Sequence, residues 1–589
     1  MICIKALRGS CEHRAGVPVL NSDIARSLDK LADLIELEGG NPFRIRAYRN
    51  AARIVGELPR NVLAMTAAGE DLAELPGIGR DLADKIETLA ETGHIAVLDA
   101  MEKQTPPGLL ALLDVPGLGP KRVRLLHDKL GIRSLADLLA AAKAGKIRDI
   151  AGFGAKTEQR VLAEAEKRAA VQPRIKRPVA EDVAEPLLRY LRAAEGVRRA
   201  EIAGSYRRRK ETVGDLDIVV AASPAAPIIA RFVAYEDVAQ VLAQGPTRSS
   251  VVLKNGTQVD LRVVAEGNYG AALMYFTGSK AHNIALRGIA AARGLKLNEY
   301  GLFDGTQRLA AKTEEEVYWR LGLPYIEPEL REDHGEIEAA RQGRLPHLVT
   351  LADVRGDLHV HTTESDGRNS LAEMVAAAQQ RGYRYIAITD HSKRLAMIRG
   401  LDADRLARQI DTIARLNETL SGFTVLCGAE VDILDDGRLD LPDDILKRLD
   451  FAVAAVHTAF DLTRDKQTAR LLKALDNPHV AALAHPTGRL IGGRGAIDLD
   501  IERVLAGAKE RGVVLEINGQ PDRLDLNEWH AKLAKDMGVA LALSTDAHSA
   551  LELGFMRYAV DQARRGWIEP DDLINTRDLA GLRDAVRRR

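Results

Sequence analysis

The sequence predicts a multidomain α+β and α/β chain in three parts: helical hairpin modules, a mixed sheet bearing carboxylates, and a βα barrel. Three observations point there. A glycine-punctuated helical repeat occurs three times before residue 170, three aspartates recur in apolar β runs between 215 and 260, and nine potential metal ligands end short apolar runs in the last 240 residues. At 589 residues, three to five domains are expected, each able to bury its own core. No apolar run approaches the ~20 residues that cross a bilayer. The first sixteen residues, MICIKALRGSCEHRAG, lack the apolar stretch of a secretory signal, so a cytoplasmic, monomeric protein with no membrane partner is expected. Cys3, Cys11 and Cys427 are too few and scattered for a disulfide framework or a cysteine zinc site.

Residues 19–100 carry helical periodicity, as in SDIARSLDKLADLIELEG, with Ser22 as N-cap and Gly39 or Gly40 as the stop. The repeat follows as LPGIGRDLADKI (75–86), VPGLGPKRVRLL (115–126) and IAGFGAKTEQRVL (150–162), its starts 40 and 35 residues apart. Each copy reads apolar-x-Gly-apolar-Gly and then an amphipathic helix. The pairs Gly77/Gly79, Gly117/Gly119 and Gly152/Gly154 would let backbone N–H groups approach an anion at a helix N-terminus. Three copies resemble the helix-hairpin-helix motif, which grips DNA phosphates without reading bases. The bland alternative is a set of tight structural turns.

A net charge of −1 hides local fields. Residues 101–262 hold 28 Lys+Arg against 19 Asp+Glu, and the stretch from 351 onward holds 33 against 38. A basic middle suits phosphates, and an acidic end suits cations. VQPRIKRPV (171–179) breaks the helical pattern and reads as a hinge. In GDLDIVVAA, Asp215 and Asp217 point to one strand face, and TQVDLRVVAE places Asp260 on another strand by the same alternation. Three such carboxylates repel one another unless cations sit between them, which suits a two-Mg²⁺ (or Mn²⁺) phosphoryl-transfer site.

GSYRRRKETVGDLDIVV (204–220), VDLRVV (259–264) and MYFTGSKAHNIALRGIAAARGLKLNEY (274–300) resemble the nucleotidyl-transfer core of family X DNA polymerases, and the similarity extends over roughly 19–330. The resemblance implies that Asp215 and Asp217 bridge both metals and that Asp260 holds the one activating the primer 3′-hydroxyl. It implies that Ser205 and Arg208, with the backbone around Gly204 and Gly214, hold the triphosphate of a deoxynucleoside triphosphate. Tyr275, Phe276 and Gly278 would pack on its sugar, while Asn283 and Arg287 would touch the nascent pair or template. Gln258 stands where vertebrate beta-type members carry arginine. Lys85 falls where the family's Schiff-base lysine would be, but Asp81 replaces a neighbouring basic residue, which would oppose a lyase nucleophile.

The metal-rich end begins with GDLHVHTTESDG (356–367). YIAITDHS, LCGAEVDI, VAAVHTAF, AALAHP and ALSTDAHS then each place a ligand at the end of an apolar run, the logic of a barrel whose site lies at the carboxyl mouth. His359, His361, Asp366, His391, Glu430, His457, His485, Asp546 and His548 use six of the fourteen histidines. Imidazole with carboxylate suits Zn²⁺, Mn²⁺ or Fe, and nine ligands suit two or three ions. These segments resemble the PHP phosphoesterase domain. The fold implied is multidomain α+β and α/β: helix-hairpin-helix domains, a nucleotidyltransferase palm with thumb, and a distorted (β/α)7 PHP barrel.

The expected division is an extension (1–18), an 8-kDa-type helical domain (19–100), a fingers-type helical domain (101–175), palm (176–266), thumb (267–330), linker (331–350) and PHP domain (351–589). The function implied is a DNA repair polymerase for short gaps, fused to a Mn²⁺- or Zn²⁺-dependent 3′–5′ exonuclease, abasic-site endonuclease and 3′-end-processing phosphoesterase. Arg523 is a candidate to pin a substrate phosphate. Two alternatives stay open: a barrel that is a small-molecule phosphatase, and an inert zinc-stabilised DNA-binding scaffold.

Overall fold

The computed structural model describes residues 21–587, apart from 59–61, 68–69, 76, 93–94, 106–108, 110–111, 114, 116, 171–173 and 395–398. The extension at 1–18, Cys3, Cys11 and the start of the expected hinge lie outside the described residues. The chain divides after residue 171 into two compact units.

The first unit is helical. Its opening helix, Asn21–Leu37, buries Ile24, Leu28, Leu31 and Ile35 on one stripe against the helix Pro42–Glu57. The helix already includes Asn21, so Ser22 lies within the first turn and is not the cap. The Asn21 side chain accepts from the Val62 N–H at 2.8 Å and so ties the helix start to a later turn. Gly39 ends the helix at φ +74°, and the Gly40 N–H returns to the Ile35 carbonyl at 2.8 Å, as a Schellman closure requires.

The second unit contains palm, thumb and barrel. The palm sheet has the order β2 (Val197–Ile202), β4 (Asp215–Ala222), β7 (Gln258–Val264), β6 (Arg248–Leu253) and β5 (Val238–Gln244). Only β4 and β7 run parallel, and their register sets Asp217 beside Asp260. A short ribbon of β1 (Ile175–Lys176) and β3 (Thr212–Val213) precedes β4. The thumb pairs helices Tyr269–Thr277 and Lys280–Ala292 with a three-stranded sheet, β8 (Lys296–Asn298), β9 (Gly301–Asp304) and β10 (Gln307–Ala310).

Residues 331–350, expected as a linker, pack on the thumb. Ile337, Ala340 and Leu348 complete the thumb core, and buried Glu336 accepts from His282 Nδ1 at 2.6 Å while His282 Nε2 meets the Tyr318 hydroxyl at 2.8 Å. Part of the acidity of this stretch is used internally: Glu336 by His282, and Glu332 by Arg208 and Arg565.

Palm and thumb are clasped by Glu314. It accepts Arg207 at 2.9 and 2.6 Å and the fully buried Arg331 at 2.6 Å. Burial alone would raise its carboxyl, but Arg331 and Arg207 hold it at about 2. A depressed value stabilises the fold above the ordinary 4.5 and is lost as pH falls toward 2. Glu314→Gln is expected to cost about 3 to 5 kcal/mol, since it leaves buried arginine charge uncompensated. A lowered urea midpoint in tryptophan fluorescence is the readout, and the difference from wild type should shrink between pH 4.5 and 2.

The barrel holds seven parallel strands in sequence order: β11 (Gly356–Val360), β12 (Tyr385–Ile388), β13 (Thr424–Asp432), β14 (Phe451–Ala455), β15 (Val480–Leu483), β16 (Val514–Asn518) and β17 (Leu541–Ser544). A parallel bridge between Val360 and Ala547 joins the two ends, with the His361 N–H on the Ala547 carbonyl at 2.9 Å. Helices cover the outside, so the strands read as nearly unbroken apolar runs in which each polar residue stands out.

Candidate active sites

The barrel gathers all nine sequence-predicted ligands at one place. His359 lies in β11, His361 directly follows it with Asp366 in the loop beyond, Glu430 lies late in β13, and His391, His457, His485, Asp546 and His548 follow the ends of β12, β14, β15 and β17. Glu430 is central. Its Oε1 lies 2.9 Å from His485 Nε2 and 3.2 Å from His457 Nε2, and its Oε2 lies 2.8 Å from His391 Nδ1 and 3.4 Å from His359 Nε2. Asp366 Oδ2 sits 3.5 Å from His391 Nε2 and 3.3 Å from His548 Nε2, while Asp546 Oδ1 sits 3.1 Å from His361 Nε2. Three ligand groups result: His361/Asp366/His391/His548, His359/His361/Asp546 and His391/Glu430/His457.

These residues fit cations. His359 Nε2, His361 Nδ1, Asp366 Oδ2 and His485 Nδ1 are all buried without a hydrogen-bond partner. Burial would raise the Glu430 carboxyl, but His391, His457 and His359 hold it well below the carboxylate range. Burial, with His548 and His391 beside it, pushes the His361 ring down to about 3, leaving it the neutral imidazole that metals prefer. His485 and Asp546 occupy positive φ of +26° and +53°, conformations that side-chain-bearing residues adopt at a cost.

The palm site is more open. Asp215, Asp217 and Asp260 are half-buried on one sheet face, where the alternation along β7 leaves every second residue accessible. Burial and then the charges of Asp215 and Asp260 raise the Asp217 carboxyl to about 7. Asp215 is raised by burial and by Asp260. Asp260 accepts from the Ser250 hydroxyl and from Gln258 Nε2 at 2.9 Å. Gln258 thus holds that carboxylate by a neutral hydrogen bond where an arginine would hold it by charge.

Gly204, at φ +60°, begins a four-residue helical turn, and a Cβ there would lie 2.4 Å from Asp217 Oδ2. The absence of a side chain keeps that approach clear. The Ser205 hydroxyl is buried without a partner, as an oxygen reserved for a ligand would be. Gly214 leads into β4. Arg208 reaches the Thr277 carbonyl and Glu332, close beside Gly278. Tyr275 and Phe276 meet edge to face at 5.2 Å, and Asn283 donates to the Tyr275 carbonyl at 2.7 Å with exposed Arg287 one turn further on.

All three glycine repeats share one geometry in the helical unit. Gly77, Gly117 and Gly152 take φ near +90°, while Ile78, Leu118 and Phe153 between the glycines plug the core. A Cβ at Gly79, Gly119 or Gly154 would meet nothing, so each helix N-terminus faces open space.

The chain is similar to known proteins along its length. A Bacillus subtilis (strain 168) protein named DNA polymerase/3′-5′ exonuclease PolX is 38% identical over 572 residues, covering 96% of this chain and 99% of that protein. This chain belongs to the PolX family. Family profiles agree by region: helix-hairpin-helix domain at 19–95, SAM-like helix-hairpin-helix tandem at 109–167, DNA polymerase beta thumb at 272–332 and PHP domain at 357–538. A probable phosphatase of Thermoanaerobacter sp. (strain X514) is 31% identical over 242 residues, 39% of this chain and 94% of that protein. Another, of Caldicellulosiruptor bescii, is 32% identical over 207 residues, 34% of this chain and 81% of that protein.

Two further candidate residues, Lys85 and Arg523, each stand beside an aspartate. Lys85 Nζ is engaged by Asp81, through both its carboxylate and its carbonyl, and so stands in an ion pair. Arg523 Nε lies 3.8 Å from Asp546 Oδ2 at the rim of the barrel cluster.

Sequence reasoning missed the residues that orient the ligands. Glu516 on β16 accepts from His359 Nδ1 at 2.7 Å, from the His485 N–H and from the Ser544 hydroxyl. Asp432 meets His457 Nδ1 at 3.0 Å. A signal existed: VVLEIN sets one carboxylate inside an apolar strand, and Asp432 lies two residues from Glu430 on the same face. Glu516→Gln is expected to weaken cation binding by about 10- to 100-fold through loss of the His359 orientation. Bound-metal content after dialysis is the readout, and unchanged content would remove Glu516 from this role.

Proposed function

We propose that this PolX-family chain fills short DNA gaps by template-directed nucleotidyl transfer and trims or cleaves DNA 3′ ends in its barrel. The observation that carries the reading is the presence, in one compact unit, of two separate ligand clusters: a carboxylate triad and a nine-ligand imidazole-carboxylate centre. Asp215, Asp217 and Asp260 would hold two Mg²⁺ or Mn²⁺ ions. The nine barrel residues would hold two or three Zn²⁺ or Mn²⁺ ions. Bound there, the ions would neutralise phosphate charge and activate the attacking oxygen.

The chain's own groups supply the rest. Ser205 and the turn after Gly204 would accept the triphosphate, and Arg208 would offset its charge. Tyr275 and Phe276 would pack on the sugar with Gly278 behind them, while Asn283 and Arg287 lie on one helix face for the nascent pair. In the barrel, Glu516 and Asp432 fix their histidines in single ring orientations, and Arg523 would hold a phosphate oxygen at the rim. The glycine repeats would grip duplex phosphates in a sequence-independent way.

Abasic-site cleavage and removal of 3′ blocking groups are the finer activities we assign to the barrel, in a monomer acting in the cytoplasm where the chromosome lies. No lyase step is assigned to Lys85, because its Nζ is engaged by the carboxylate and the carbonyl of Asp81 and is not free to attack a sugar carbon. The test is a gapped duplex carrying a 3′-phosphate, incubated with Mn²⁺ and deoxynucleoside triphosphates. Trimming followed by extension is expected. Faster hydrolysis of free phosphomonoesters than of DNA would favour the phosphatase reading suggested by the barrel's relatives.

A further inference from the structure

Arg208 is held in place by the barrel as well as by the palm. Its Nε donates to Glu332 at 3.0 Å and its Nη1 donates to the Thr277 carbonyl, while Nη2 makes no hydrogen bond to a described residue. Glu332 follows the short turn Pro328–Leu330 at the end of the thumb. The same Glu332 oxygen takes Arg565 Nη1 at 3.2 Å and lies 3.8 Å from Lys210 Nζ.

Arg565 ends the barrel helix Met556–Arg565, and its side chain is only 2% exposed. Its Nη1 also donates to the Arg208 backbone carbonyl at 2.6 Å, and its Nη2 donates to Glu528 at 2.9 Å. Glu528 stands 3.4 Å from Lys210 Nζ. Burial opposes ionisation of Glu528, but Arg565 and Lys210 hold its carboxyl at about 2. One barrel arginine therefore fixes both the main chain of Arg208 and the carboxylate that orients its guanidinium.

We propose that Arg565 and Glu332 are positioning residues for nucleotide addition: the barrel supplies the support that aims Arg208 at the triphosphate. Glu332 holds Nε and Thr277 holds Nη1, so Nη2 is left for a ligand, and the guanidinium lies near enough to Asp215 and Asp217 to favour their charged forms. A guanidinium on a flexible stem loses much side-chain entropy when it engages a phosphate, and a pre-ordered one loses less. The two catalytic halves are linked in one direction by this relay. Nucleotide affinity depends on the barrel, whereas barrel chemistry does not pass through Arg565. The inference rests on the reading that Arg208 binds triphosphate.

The experiment uses the full chain on a gapped duplex with a free 3′-hydroxyl, measuring KM for the incoming nucleotide and kcat for Glu332→Gln, Arg565→Met, Arg565→Lys and Arg208→Ala. Glu332→Gln and Arg565→Met are expected to raise KM by about 10-fold with kcat nearly unchanged, and Arg565→Lys to regain part of the loss. Nuclease rate on the same preparations should stay at the wild-type level, which separates positioning from misfolding. If Arg208→Ala leaves KM unchanged, the assignment of Arg208 itself fails. If Arg208→Ala raises KM but Glu332→Gln and Arg565→Met do not, the relay is overturned. A lower KM in Glu332→Gln would also overturn it, because Glu332 would then be competing with the triphosphate.

Discussion

Asp217→Ala is expected to abolish nucleotide addition, by about 10³-fold or more, and to leave 3′-end trimming at the wild-type rate. The size follows from position. Asp217 is the central carboxylate of the triad: its strand neighbour across the parallel β4–β7 register is Asp260, its neighbour along the strand face is Asp215, and Gly204 leaves open space against its oxygen. Asp215 and Asp260 remain, but one of the two carboxylates expected to bridge both cations is gone. Its protonation gives a second readout. The folded value of about 7 lies above the ordinary 3.8, so the stability favoured by protonation is full below 3.8 and is lost as pH rises through 7. Without cations, the isosteric Asp217→Asn should therefore be more stable than wild type at pH 8 and lose that advantage at acid pH, as read by thermal melts. With cations present, polymerase activity should require more metal as pH falls below 7, because a proton then competes for the site. Retained extension by Asp217→Ala would remove the triad from the chemistry.

How much of this was legible in the sequence depends on whether a residue acts through periodicity or through a distant partner. The candidate barrel ligands were legible because a strand buried on both faces has no reason to end in histidine or carboxylate, yet β11, β12, β13, β14, β15 and β17 each carry one at or just past the end. The palm aspartates were legible from the i, i+2 spacing. That Asp217 and Asp260 are direct neighbours was not, since it needs the parallel pairing of strands separated by two others in sequence. Glu332 and Arg565 look like ordinary surface charges in their own segments. Their roles come from a contact over 233 residues of chain, which no local pattern encodes. That residues 331–350 pack on the thumb was not legible for the same reason: Glu336 reads as an acidic surface residue yet is buried against His282. Ser22 failed more locally, because Asn21 takes the first helical position and finds its partner at Val62.

His361→Ala is expected to give the converse phenotype: loss of 3′ trimming by about 10³-fold or more, with extension of unblocked primers intact. His361 belongs to two of the three ligand groups at once, beside Asp366, His391 and His548 on one side and beside His359 and Asp546 on the other. Its removal thus depletes two cation positions. A peripheral ligand such as His457 belongs to one group and should give a partial loss. His361 is fully buried, and its N–H closes the barrel through the Ala547 carbonyl, but that hydrogen bond is main chain and survives the substitution. The void left by the imidazole lies among polar groups already held by Glu516, Asp390 and Asn518, so the barrel should keep its fold. Metal content should fall in His361→Ala while the far-UV spectrum and the polymerase rate do not. If His361→Ala and Asp217→Ala each remove both activities, the two clusters act as one site and the separation of building from breaking phosphodiester bonds is lost.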